Sequence, residues 1–264
     1  MTAGDAKYFA RLANLVGSLQ FWEPGVSIAL YDLGLGNAYA TAARRWAGVE
    51  YRRLPPRNSP VALPAHLYDE VALVGWKFWV ALDALERADA IFWLDANAEV
   101  RRPLDSVRAA LAADGHFLTV AGHRFPTEKT VRPATLGALQ CGAIHAARPE
   151  CTSAYLGVAS GSTAHHALLP LARACAHDRA CLYPGDAVGN DNNRRDQSAL
   201  NAALCALAAR GVDLDCRADR RFWMWNGQRA FPPPDRADEW SDMVLFSRRG
   251  PGPYAPSNTT APPL

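Results

Sequence analysis

Apolar residues return at helical spacing over residues 5–20. Tyr8, Leu12, Leu15, Val16 and Leu19 share one face, and the spacing predicts an amphipathic helix. Glu23-Pro24-Gly25 punctuates it as a turn. The short apolar run over 26–31, bounded by Asp32, Gly34 and Gly36, predicts a buried strand. A helix over 37–47 and a strand over 49–54 follow, then a proline-rich loop over 55–64. Helical spacing resumes over 76–87. Ala90-Ile91-Phe92-Trp93-Leu94 is the strongest strand pattern in the chain, and it stops at Asp95. Pro103 suits the first turn of a helix over 103–113, and a further strand covers 117–121.

Strand and helix alternate through residue 121, which predicts an α/β fold with a mostly parallel sheet. The pattern then loosens. Residues 116–139 read partly as loop, 154–158 as a strand and 164–176 as a helix. A polar loop over 183–193 leads into a clear helix over 196–210. Phe222-Trp223-Met224-Trp225 is a late apolar segment. The Pro/Ser/Thr-rich tail over 251–264 reads as disordered. No repeat and no interior linker divides the chain, so one domain is expected over residues 1–250.

Composition narrows the class. The 264 residues are 49% hydrophobic and 20% charged, which excludes collagen-like, coiled-coil and wholly disordered chains. A net charge of +2 argues against a dedicated nucleic-acid binder. No run of 18 apolar residues occurs, so no transmembrane span is expected. Met1-Thr2-Ala3-Gly4-Asp5 shows neither a basic nor an apolar leader region. Cys141, Cys151, Cys175, Cys181, Cys205 and Cys216 make an even set, with Cys175 and Cys181 close around a turn-like His177-Asp178-Arg179. Either a disulfide set of an oxidising lumen or buried thiols fits that set. Asn258-Thr259-Thr260 matches the N-glycosylation pattern.

The best candidate chemistry lies at the end of the 90–94 strand. Ligands of open α/β sheets collect at carboxyl ends of strands. Asp95 and Asn97, two residues apart in a tight loop, offer oxygens to Mg²⁺ or Mn²⁺ and leave room for phosphates. The plainer reading is a residue that ends the strand or caps a helix. A second constellation is the polar run over 190–198, which opens into the 196–210 helix. Its N–H groups favour anions. Arg194 and Arg195 suit phosphate, and Asp196 and Gln197 suit a sugar hydroxyl. An ordinary helix start is the alternative. Lys77, one of three lysines, stands between Trp76 and Phe78 and suits a diphosphate. It equally suits a snorkelling side chain. Asp32 is a candidate nucleoside contact. Among the histidines, His123 follows a strand, while His165 and His166 suit a surface. No G-x-G-x-x-G, P-loop, G-x-S-x-G or H-E-x-x-H pattern occurs.

The ordered set formed by Asn14–Leu19, Tyr31–Leu35, Trp76-Lys77, Trp93–Asn97, Cys175 with Cys181, Pro184-Gly185 and Arg195–Ser198 resembles a known family. It is similar to an uncharacterised eukaryotic group of nucleotide-diphospho-sugar transferase-like proteins with the GT-A fold, over about residues 8–205. The resemblance implies a Rossmann-type three-layer sandwich. It also implies a glycosyltransferase taking a nucleotide-sugar donor to an unidentified glycan, protein or small-molecule acceptor, with Mn²⁺ or Mg²⁺. Asp95 and Asn97 match the DxD metal positions, with a neutral Asn second. Asp196-Gln197 matches an acidic DQ element on the acceptor side, so these are the candidate catalytic residues. Trp76, Lys77, Asp32, Arg194 and Arg195 become candidate donor contacts. A late histidine of one related group is missing, and Asp213, Asp215 or Asp219 are candidate replacements. Sheets of this family begin with a strand before the first helix, and only Thr2-Ala3-Gly4 stands here. A trimmed N-terminus would place the protein in the Golgi or endoplasmic reticulum lumen, an intact one in the cytoplasm. A non-catalytic binding module and a metal-dependent phosphoesterase or nucleotidyltransferase are the alternatives.

Overall fold

In the computed structural model, residues 1–59, 61–121, 125–185, 195–222, 243–247 and 252–258 are described. The elements begin with β1 (Thr2–Gly4), α1 (Phe9–Trp22), β2 (Ile28–Asp32), α2 (Gly36–Ala43) and β3 (Val49–Arg53). There follow α3 (Ala65–Asp69), α4 (Lys77–Leu85), β4 (Ala90–Leu94), β5 (Ala98–Val100), α5 (Asp105–Asp114) and β6 (His116–Val120). Three short helices, α6 (Thr127–Thr130), α7 (Pro133–Ala138) and α8 (Ala143–Ala146), precede β7 (Cys151–Ala159). Then come α9 (Leu169–His177), α10 (Arg179–Leu182), α11 (Asp196–Ala208) and β8 (Leu245–Ser247). The chain folds into two compact units, Met1–Leu54 with Trp93–Ser106 and Asp219–Leu264, and Pro55–Phe92 with Val107–Ala218.

In the first unit β1, β2 and β3 form a parallel sheet in that order. Thr2-Ala3-Gly4 is the first strand itself, paired from Thr2 with Leu30 to Gly4 with Asp32. The apolar stripe of α1 is buried through Leu12, Leu15, Val16 and Leu19. Its neighbouring polar residues are used rather than exposed. Ser18 Oγ accepts from the Val100 N–H at 3.0 Å, and the Asn14 amide donates to Glu99 at 3.0 Å. β5 and β8, short and without alternation long enough to read, pair antiparallel. Residues 252–258, expected within a disordered tail, lie along α1. The Tyr254 N–H donates to Asn14 Oδ1 at 3.1 Å and the Ser257 N–H to Gln20 Oε1 at 2.7 Å. Backbone and side-chain bonds to a formed helix hold this segment despite its composition.

The sheet of the second unit has the order β4-β7-β6. β6 and β7 run antiparallel, Phe117 opposite Gly157, whereas the alternation alone predicts parallel strands. Thirty residues with three helices join them, so no tight crossover imposes direction. Gly157 permits the approach: a Cβ there would lie 2.7 Å from Phe117 Cβ. The helix expected over 164–176 is divided into a π turn over Ala164–Leu168 and α9. Pro170 lacks the N–H that would continue a regular ladder, and the irregular turn falls just before it. α11 is buried from Asp196 to Leu207, its apolar run over 199–207 together with the polar Asp196, Gln197, Ser198 and Asn201. It packs on β7 and α9. All six cysteines are paired, as Cys141–Cys205, Cys151–Cys216 and Cys175–Cys181. Among the described residues no helix is long and apolar enough to cross a membrane.

Candidate active site

Two sets of residues come out of this fold, one in each unit. In the first unit the carboxyl ends of the parallel strands carry Gly4, Asp32 and Arg53. The Asp32 carboxylate is taken by its own loop. Oδ1 accepts from the N–H groups of Gly34 at 2.7 Å and Leu35 at 2.6 Å, and Oδ2 accepts from the Tyr51 hydroxyl. Burial pushes this carboxyl upward. The hydrogen bonds from Leu35, Tyr51 and Gly34, with the nearby Arg53 charge, outweigh it and hold the group below its ordinary value. Asp32 therefore shapes the entry to α2 as a turn-forming aspartate.

The Asp95–Asn97 turn reaches the same edge. A Cβ on Gly4 would lie 4.0 Å from Ala96 Cβ, and Gly4 is the register partner of Asp32. The Ala98 N–H donates to the Asp95 carbonyl at 2.8 Å and closes the turn. Trp93, fully buried, donates its indole N–H to Asp95 Oδ1 at 2.7 Å. The Asn97 amide donates to Ser247 Oγ at 2.8 Å, which leaves its carbonyl oxygen as the part suited to a cation. Both side chains are half-buried. Among the described residues no three His, Cys, Asp or Glu side chains gather where they could hold a metal. One carboxylate and one amide oxygen suit a Mg²⁺ or Mn²⁺ that takes its other oxygens from water and substrate phosphate. They do not suit an ion caged by protein alone.

The second set stands where α11 begins, against α4 and β7. Lys77 opens α4 and is 1% exposed, so it neither snorkels nor presents its charge to solvent. Its ammonium donates to the Asp196 carboxylate and, at 3.0 Å, to the Ser153 carbonyl. Gln197 Oε1 accepts from the Ser153 N–H at 3.4 Å. The Ser153 backbone of β7 is thus held at its carbonyl by Lys77 and at its N–H by Gln197. Gln197 is 7% exposed, and its Nε2 is a buried donor with no acceptor among the described residues. Such a group costs about 1–3 kcal/mol when left unsatisfied. Arg195, just before α11, has φ of 54°, unusual for a residue with a side chain. Its Nη1 donates to the Ala72 carbonyl at 2.7 Å, and its guanidinium lies 5.8 Å from the Tyr183 ring centre. Trp76 is buried with its indole N–H on the Val71 carbonyl at 2.9 Å. Arg194 and His123 lie outside the described residues.

The aspartates considered in place of a late histidine are committed elsewhere. Asp213 and Asp215 take the two ends of the Arg148 guanidinium at 2.6 and 2.8 Å, and Asp219 pairs with Arg221 at 2.6 Å. Sequence reasoning missed Asn201. Its Oδ1 accepts from the Cys151 N–H at 2.7 Å, and its Nδ2 donates to the carbonyls of Cys151 and Gln197, both at 2.8 Å. It locks β7 to α11 one turn beyond Gln197. The available signal was an amide interrupting the apolar run over 199–208, four residues after Gln197.

A scan against models of protein families finds no match, and a search of curated proteins finds none either. Solved structures do match. An active-site glutamine mutant of LgtC is 16% identical, with a TM-score of 0.57 over 95% of this chain and 86% of that one. The galactosyltransferase LgtC with donor and acceptor sugar analogues is 15% identical, with the same TM-score and coverage. The bifunctional glycosyltransferase WbbM, without ligand, is 10% identical with a TM-score of 0.55, over 94% of this chain and 45% of that one. At such identities the likeness speaks for architecture, and the chain has the α/β fold of the GT-A glycosyltransferases.

Proposed function

We propose that the protein is a glycosyltransferase that moves a sugar from a nucleotide-diphosphate donor to a hydroxyl acceptor. The observation that carries this reading is the buried, unpartnered Nε2 of Gln197 beside the Lys77–Asp196 pair. A buried donor left without an acceptor is costly, and an oxygen of a bound sugar would supply one. The description of one LgtC structure as an active-site glutamine mutant supports giving Gln197 a role of this kind. Asp196, fixed against an ammonium, is a placed negative charge. Such a charge suits the oxocarbenium-like state that sugar transfer passes through. In this reading Lys77 acts through Asp196 and does not touch the diphosphate, and Trp76 supports the start of α4. Arg195 and Arg194 remain donor contacts, suited to phosphate by their fork of N–H groups.

In the first unit, Asp95 and the Asn97 carbonyl oxygen would hold Mn²⁺ or Mg²⁺, and Asp32 would set the loop beside them. When bound, the ion supplies positive charge to the departing diphosphate. A second reading, a binding module of the same fold, is favoured by Asp95 being the only carboxylate in its turn.

A screen of sugar nucleotides by thermal shift, with and without Mn²⁺, tests the proposal. One donor should stabilise the protein only with metal, and Asp95→Ala should abolish that shift. Asp196→Asn should lower turnover about 10²-fold while leaving donor binding nearly intact. Stabilisation that ignores the metal, with no transfer to any acceptor, supports the module instead.

A further inference from the structure

The pairing of every cysteine says something about where this chain folds. Three disulfides join Cys141 to Cys205, Cys151 to Cys216 and Cys175 to Cys181. Such a complement forms and persists in oxidising compartments such as the lumen of the secretory pathway. That lumen is also where oligosaccharides are attached to Asn-X-Ser/Thr triplets. Asn258-Thr259-Thr260 is the only such triplet among the 264 residues, and its middle residue is not proline.

The structure puts Asn258 where a bulky polar chain can be carried. The residue is exposed. Its backbone is fixed by an antiparallel bridge to Trp46, and the preceding Ser257 carbonyl accepts from the Ala47 N–H at 2.8 Å. Trp46 and Ala47 lead into β3, so Asn258 stands at the amino-terminal edge of the parallel sheet. Asp32 and the Asp95–Asn97 turn occupy the carboxyl-terminal edge of the same unit. A chain attached at Asn258 therefore leaves those residues uncovered.

We infer that Asn258 is an N-glycan acceptor. The donor is an oligosaccharide carried on a lipid diphosphate. A bond forms between the Asn258 side-chain nitrogen and the anomeric carbon, and the bond from that carbon to the diphosphate oxygen breaks. The lipid diphosphate leaves with the electron pair, and the nitrogen gives up one proton. No change of oxidation state is involved.

The test is to produce the chain in the lumen of a eukaryotic secretory pathway, behind a cleavable leader. Digestion with a peptide N-glycosidase should remove one glycan, with residue 258 converted to aspartate in the mass spectrum. Asn258→Gln and Thr260→Ala should each abolish the modification, and Thr260→Ser should keep it. Recovery of the chain with unmodified Asn258 overturns the inference, as does a glycan that survives Asn258→Gln. No transferase activity enters the readout, so this inference and the proposed function fail separately.

Discussion

Lys77 and Asp196 form the one described ion pair whose lysine is buried at 1% exposure. Two charges withdrawn from water need each other more than the fold needs either. Replacing one leaves the other uncompensated, at a cost of about 3–5 kcal/mol, whereas replacing both with apolar groups is often close to neutral. Lys77→Met should therefore lower stability by about 3 kcal/mol or more in urea unfolding. The double variant Lys77→Met with Asp196→Leu should recover most of that loss while remaining inactive. A small loss in the single variant would show that Asp196 finds solvent or another partner. At this scale the sequence singled out Lys77, as a rare lysine between aromatics, but not which carboxylate it meets. The carboxylate it meets is 119 residues away, and spacing along a chain carries no information about such a contact.

At the scale of elements, two glycines in helices make opposite demands. A Cβ on Gly17, in α1, would sit 2.7 Å from the backbone carbonyl carbon of Ala255. Backbone cannot swing aside as a side-chain end can. A Cβ on Gly137, in α7, would meet nothing within 4 Å. Gly17→Ala should destabilise by about 1–3 kcal/mol through overpacking, in excess of its gain in helix propensity. Gly137→Ala should stabilise by about 0.5–1 kcal/mol. Thermal or urea unfolding of both variants checks the contrast, and equal effects would mean that 252–258 does not lie against α1. The helices and strands themselves were largely legible. The 28–32, 49–53 and 90–94 strands and α1, α4, α5 and α11 fall within a few residues of their patterns. β5 and β8, each three residues long, were not. Their pairing is supplied by a partner strand some 150 residues away rather than by local preference.

For the molecule as a whole, the disulfides differ in what they restrain. Cys141–Cys205 and Cys151–Cys216 span 64 and 65 residues, Cys175–Cys181 only 6. The chain-entropy estimate gives about 4 kcal/mol for each long loop and about 2 for the short one. Removing either long bridge by a pair of Cys→Ser changes should thus lower the unfolding temperature more than removing Cys175–Cys181. Equal losses, or a larger loss for the short bridge, would count against closure entropy as the main term.

The sequence by itself determined the alternating α/β order, the strand that delivers Asp95, and the helix that Asp196 and Gln197 open. Those follow from periodicity and from where apolar runs stop, which are local properties of the chain. Tertiary structure alone decided that β6 and β7 run antiparallel, that the cysteines pair as they do, and that Lys77 faces Asp196. It also decided that Gln197 buries its Nε2 with no partner among the described residues. Each of these depends on which distant surfaces exclude water together, and burial sets the energy of a charge or an amide far more than the identity of its neighbours in the chain.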